Sequence, residues 1–303
     1  MANVLKRERQ LAVLNLLVEG SSIRAAERIT GIHRDTICRL AVKFGTKCRD
    51  FLDENMRNLK LRHIEVDEQW TFVGKKQSRL TTDERAERGN IGDMYLWIGV
   101  DQDTKLVPTF ALGKRSADMA RRFMVDLASR LQPHDNPHAS DAHAYKPEGF
   151  NAVTQISTDG FAAYPEAVDL AFGPYVKFGT IIKDYRNANM IYTPSEMVGT
   201  ERRAVFGIDG GSEGTICTSH IERLNATTRL FLKRFNRLTL CFSKKLENLA
   251  AAVAMYVAYY NYCWRTRKPG TTGKRRATAA MAAGLTVHTW KFRELFEAVS
   301  AMG

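Results

Sequence analysis

The sequence predicts an α/β fold, a mixed sheet with flanking helices, preceded by an all-α segment. Three observations carry this. The apolar period is helical through residue 62 and changes to strand alternation at residue 63. Beyond that point strands and helices follow one another in the order β-β-β-α-β-α-β-α. The composition, 44% apolar and 10% aromatic over 303 residues, fits a folded chain of about two domains and excludes a disordered one.

The elements justify themselves in order. Residues 7–19 place Leu11, Leu14, Leu17 and Val18 on one helical face, and Gly20 ends the run. Ser21 or Ser22 caps a short helix, IRAAERIT, which Gly31 closes. A third helix runs from His33 to Phe44 with Ile37, Leu40 and Ala41 inward. Two short helices about a glycine turn read as helix-turn-helix, with Arg34, Asp35, Thr36 and Arg39 turned outward, toward a DNA groove in such a motif. Ala26 lies five residues before Gly31, where that motif usually has a small residue at four. Residues 46–62 read as a further, linking helix.

From residue 63, HIEVDEQWTFVG alternates as a strand; MYLWIGVDQDT and KLVPTFALGKR are two more, turning near Asp103 and Thr104. Residues 116–131 form a helix capped by Ser116, followed by the loop 133–149 with His134, His138 and His143. FNAVTQISTDG is the fourth strand, FAAYPEAVDLAF a short helix broken by Pro165, and VKFGTIIKDY the fifth strand. A loop is expected over 186–217 and a helical pattern from His220 to about Trp264. This order is that of the ribonuclease H-like fold. The apolar helix 246–264 reads as core rather than as a dimer interface.

The formal charge of +12 is unevenly spread. Residues 1–64 carry +6, residues 65–222 carry −6, and residues 223–276 carry +12 from thirteen basic residues and one acid. So dense a basic block favours a polyanion, first of all nucleic acid. No run of about 18 apolar residues predicts a membrane helix, and the first residues lack the pattern of a secretory leader. Five cysteines without a Cys-x-x-Cys pair argue against a zinc ribbon and a disulfide framework, so reduced thiols and a cytoplasmic chain are expected.

Three acids fall at telling places. Asp67 lies inside the first strand, Asp159 at the end of the fourth before a glycine, and Glu222 on the final long helix. In a ribonuclease H-like sheet the first and fourth strands are neighbours and the last helix crosses their ends, so the three carboxylates can converge. Oxygen ligands suit hard divalent cations, and two such ions can hold the attacking and leaving oxygens of a phosphoryl displacement. Glu65, Glu68, Asp101 and Asp103 are rival acids; by alternation Glu65 shares the face of Asp67 and Glu68 points the other way. Asn225 and Arg229 share the helical face of Glu222, where Arg229 could hold a phosphate. Phe231, Phe235 and Phe242 read as core; the basic residues around them, Lys233 and Arg234 among them, are the candidates for DNA. The stretch 207–214 lacks the Lys-Ser/Thr of a phosphate loop.

On VDEQWTFVGKK, YLWIGVDQDTK, STDGFAAY, the long motif from SHIERLN to YYNYC, and ATAAMAAGL, the chain resembles transposases of the Asp-Asp-Glu superfamily, in particular the insertion-sequence-one family. The resemblance covers roughly residues 60–285. It implies a magnesium-dependent (or manganese-dependent) enzyme in which Asp67, Asp159 and Glu222 bind two ions, cut DNA at the ends of an insertion sequence and join it to a target. It also implies double-stranded DNA as partner (terminal repeats and target), a homodimer or larger synaptic complex, and a bacterial, nucleoid-associated setting without a membrane. Arg229 matches the basic residue that accompanies the Glu in the superfamily. Some relatives carry an N-terminal cysteine-pair zinc finger, which this chain lacks. The expected division is a helix-turn-helix DNA-binding domain over 1–48, a helical linker over 49–62, a catalytic domain over 63–268 and a tail with a short helix over 269–303. The alternatives are a helix-turn-helix DNA-binding regulator with an inactive ribonuclease H-like domain, and a nuclease or resolvase that cuts without joining.

Overall fold

A computed structural model describes residues 5–87, 90–132, 154–184, 199–238, 240–266 and 272–302. The loop 133–149 with its histidines, and residues 186–198 of the expected long loop, lie outside the described residues. The chain forms two compact units. One comprises residues 57–68 and 97–224; the other comprises 1–56, 69–96 and 225–303.

The first unit holds the centre of a six-stranded mixed sheet. Its strands are β1 (His63–Val73), β2 (Gly92–Asp101), β3 (Phe110–Gly113), β4 (Thr154–Asp159), β5 (Val176–Asp184) and β6 (Gly199–Phe206), in the order β3-β2-β1-β4-β5-β6. β4 runs parallel to β1 and β5, and β6 returns antiparallel to β5. With its flanking helices the sheet is α/β as expected, and its strand order is compatible with the ribonuclease H-like arrangement. In this unit β1 and β4 bury Ile64, Val66 and Ile156, each almost wholly withdrawn from solvent. Helices α5 (Ala117–Arg130) and α6 (Tyr164–Phe172) contribute Phe123 and Tyr164, which pack around Trp97 with ring centroids 6.3 and 6.0 Å away. Helix α7 (Ser219–Phe231) starts in this unit.

The second unit is built around two long helices. α1 (Arg7–Val18) and α2 (Ile23–Thr30) pack through Val13, Ala26, Ile32 and Ile37 onto α3 (Arg34–Asn55). The Ser22 hydroxyl accepts the Ala25 N–H, and Gly31 closes α2 at φ 66°, a conformation open to glycine. α3 then runs along α8 (Leu246–Tyr262), a helix buried almost throughout, which agrees with its reading as core. The short α4 (Thr82–Glu87) belongs here too. Near the C-terminus α9 (Ala279–Ala282) precedes α10 (Phe292–Ala301), whose Phe292 and Phe296 pack on Phe44.

Four local expectations are corrected. Residues 33–44 and 46–62 are not two helices: α3 is continuous to Asn55, because Gly45 sits mid-helix to let α8 approach rather than to end a turn. Pro165 opens α6 instead of breaking it, since the first turn needs no proline N–H. The loop expected over 186–217 contains β6, an edge strand whose polar, exposed residues hide its alternation. The helical run from His220 to Trp264 is interrupted between Phe231 and Leu246. There Thr71 Oγ1 donates to the Arg234 carbonyl and the Gly74 N–H to the Ser243 carbonyl, so β1 takes up backbone groups that a helix would otherwise use.

The α3–α8 contact leaves no room for a methyl group: a Cβ on Gly45 would lie 2.6 Å from the Cα of Ala251. Overpacking of this kind costs about 1–3 kcal/mol, more than the gain of about 1 kcal/mol in helix propensity. Gly45→Ala is expected to lower the midpoint of urea denaturation, and Ala251→Gly is not expected to restore it, because the obstacle is backbone.

Candidate active site

The site lies within the sheet unit, at the end of β4. The parallel ladder pairs Glu65 with Ser157 and Val66 with Thr158, so Asp67 and Asp159 stand one residue further along adjacent strands. Oxygens of Asp67, Glu68 and Asp159 all lie within 4.8 Å of one another. The Asp159 carboxylate also accepts the Phe161 N–H at 3.0 Å, which fixes the turn after β4.

A second set of bonds ties α7 to the same strand. Glu65 is 1% exposed. Its Oε2 accepts the N–H groups of His220 and Ile221, both at 2.8 Å, while its Oε1 lies 2.7 Å from His220 Nδ1. A buried carboxylate thus satisfies the open N–H groups at the start of α7, where the helix dipole favours negative charge. Glu222 follows on the next positions of the helix, accepting from Thr218 Oγ1 and paired with Lys183 of β5.

Cations partly offset the acids. Arg115, just after β3, contacts Glu68 at 3.4 Å and Asp159 at 3.3 Å, and its guanidinium lies 4.2 Å from the centre of the Phe161 ring. Even so, Glu68 and Asp67 hold protons more tightly than usual. Burial, with Asp159 beside it, pushes Glu68 up to about 7. Asp67 is raised for the same reasons, burial first, then the charges of Asp159 and Glu222. Burial raises the Tyr164 hydroxyl well above its ordinary value, and the charge of Glu68 adds to the shift. Three close oxygens short of positive charge form the hard, anionic donor set that a divalent cation such as Mg²⁺ takes.

Of the acids expected at the centre, Asp67 and Asp159 meet directly. Glu222 lies near enough to raise Asp67, but its carboxylate is engaged by Lys183. Glu68 joins the group although alternation turns it to the opposite face. Asp159 ends its strand, and a strand end can be approached from both faces. Lys183 and Arg115 were missed; both stand where strands end, the part of an open α/β sheet where sites form.

The residues expected to meet DNA divide. Arg34 and Arg39 are exposed on α3; Thr36 is half-buried, 3.5 Å from an Arg39 Nη. Arg229 is half-buried on the last turn of α7 and Lys233 is exposed. Asn225 is 6% exposed, its carbonyl accepting from Gln69 Nε2 at 3.0 Å. Arg234 bonds Ser243 Oγ and the Asn248 carbonyl, and burial lowers its pKa. Within the helical unit, Arg24, Arg34, Lys233, Arg234 and Lys244 border one cavity of about 670 Å³. No disulfide joins the five cysteines, and no helix among the described residues is long and apolar enough to cross a membrane.

No family model matches the chain, and no curated protein does. Among solved structures it is similar to a chain of a pre-cleavage Mos1 transpososome, at 10% identity and a TM-score of 0.23, over 59% of this chain and 60% of that one.

Glu68 gives a pH test with a definite sign. Its folded pKa of about 7 exceeds the ordinary 4.5, so its favourable contribution is complete below 4.5 and is lost as pH rises through about 7. Without divalent ions the protein is expected to lose on the order of 3 kcal/mol across that window. Glu68→Gln should flatten this part of the profile. Urea denaturation at several pH values in chelator checks it; an identical profile in the variant excludes Glu68 as the source.

Proposed function

We propose that this chain is a DNA transposase of the Asp-Asp-Glu type, cutting DNA at the ends of an insertion sequence and joining the new 3′ ends to a target. The observation that carries the reading is the meeting of Asp67 and Asp159 on adjacent parallel strands, with Glu222 on a helix that a buried Glu65 ties to the same strand. The Mos1 transpososome agrees in kind but carries no part of the argument.

Asp67 and Asp159, with Glu68 beside them, would hold a divalent cation; Glu222 would complete a two-ion centre on leaving Lys183. When bound, Mg²⁺ or Mn²⁺ supplies Lewis acidity for in-line phosphoryl transfer between an attacking hydroxyl and a leaving oxygen. The chain's own part is placement. Glu65 sets the start of α7, Arg115 pairs with Glu68 and Asp159, and Lys183 is a cation at the edge of the site able to pair with a phosphate. No covalent protein intermediate is required.

The basic surface supports DNA as partner. Arg24 and Arg34 from the N-terminal helices border the same cavity as Lys233 and Lys244, so segments separated by two hundred residues or so would engage one backbone. The three N-terminal helices would serve as the helix-turn-helix reader of terminal repeats, and synapsis of two ends would require at least a homodimer.

Two measurements test the reading. With labelled element ends and Mg²⁺ or Mn²⁺, Asp67→Asn, Asp159→Asn and Glu222→Gln should each abolish cleavage and strand transfer while duplex binding persists. Undiminished cleavage by any of the three removes that residue from the centre, and binding without metal-dependent cleavage by the parent chain would favour the regulator. Separately, Lys233→Ala should weaken duplex binding and reduce its salt slope by about one unit without changing stability. Arg234→Ala should instead lower the denaturation midpoint, since its bonds are internal.

A further inference from the structure

A second cluster in the sheet unit has a different chemistry from the acid group. Glu65 on β1, Cys217 just before α7 and His220 in its first turn bring a carboxylate oxygen, a thiol sulfur and an imidazole nitrogen within 4.8 Å of one another. Glu65 is buried, and the other two are half-buried. The geometry is fixed from several sides. Ser157 Oγ, on β4, accepts the Cys217 N–H at 3.4 Å, and Cys217 Sγ accepts the Ser219 N–H at 3.4 Å and lies 3.1 Å from Ser219 Oγ. Glu65 Oε2 is committed to the two helix N–H groups, which leaves Oε1 facing His220 Nδ1.

We propose that Glu65, Cys217 and His220 form a site for one divalent cation of the zinc type, separate from the carboxylate centre. Thiolate, imidazole and carboxylate together are the donor set of a borderline-soft ion; Mg²⁺ selects oxygen alone. The charges suit burial: one thiolate and one carboxylate offset the two charges of the ion, so no net charge is left in a poorly solvated place. Loading releases the Cys217 thiol proton to solvent and leaves His220 with its single ring proton on Nε2, Nδ1 becoming the ligand. Glu65 Oε2 keeps its bonds to α7 throughout, and a fourth position is left for water. Bound there, the ion would cross-link β1 to the entrance of α7, two residues before Glu222, and hold that helix start independently of what occupies the acid group.

The test uses the full chain with excess Mg²⁺ to occupy oxygen sites, titrated with Co²⁺ and then Zn²⁺. One equivalent of Co²⁺ should bind with a near-ultraviolet thiolate-to-cobalt charge-transfer band and be displaced by one equivalent of Zn²⁺. Cys217→Ser should abolish the band and weaken affinity by about tenfold or more, while Cys217→Asp should retain cobalt binding without the band. Cys241→Ser should change neither. Asp159→Asn, which removes one carboxylate of the acid group, should leave the band intact, so the outcome is independent of whether the chain cuts DNA. A full band in Cys217→Ser, loss of the band in Asp159→Asn, or no stoichiometric Co²⁺ binding by the parent chain overturns the proposal.

Discussion

The candidate site depends on one buried carboxylate. Glu65 accepts two backbone N–H groups at the start of α7 from inside the sheet. The bond set does two things at once. It satisfies a charge that would be costly to bury alone, and it determines where the helix begins relative to β1. Since Asp67 lies two residues further along the strand and Glu222 two residues beyond His220, the same contact sets the spacing between them. No direct bond between the two acids is needed, and mutual repulsion would forbid one without a cation.

The acid group has the opposite character. Asp67, Glu68 and Asp159 are close and incompletely compensated, with Glu68 raised to about 7. Such an arrangement weakens the fold where it stands and persists because the surrounding sheet over-determines it. The aromatic packing of Trp97, Phe123, Phe161 and Tyr164 lies behind it, and the Phe161 ring carries the Arg115 guanidinium on its face. Stable apolar packing and an electrostatically unfavourable cluster thus share the same short turn after β4.

Much of the fold was legible because its signals are local. Strand alternation, the Ser22 and Ser116 caps and the glycine after α2 read directly from neighbouring residues. What escaped was decided by distant partners. Gly45 looks like a helix end until Ala251 is known to lie against it; β6 looks like loop because an edge strand has no buried side to display. At the site, Asp67 and Asp159 were legible from their positions at strand middle and strand end. Glu68 was set aside by the alternation rule, which fixes its face on β1 but says nothing of Asp159, which ends β4 and can be approached from either face. Asn225 and Arg234 were read from helical spacing and charge, whereas the burial of Asn225 follows from Gln69, far away in sequence, and that of Arg234 from the turn that brings Ser243 back onto it.

Lys183 has a role that follows from the pairing alone. Four carboxylates gathered in one place would oppose the collapse of the sheet, yet Lys183 and Arg115 arrive with the strands that build it and act as internal counter-ions. The chain can therefore fold without an added cation, and any exchange of counter-ions would be a separate event. Glu222 is held by a lysine that an incoming cation would have to displace, so the threshold for such an exchange would be set by the ionic composition of the solution as much as by the protein.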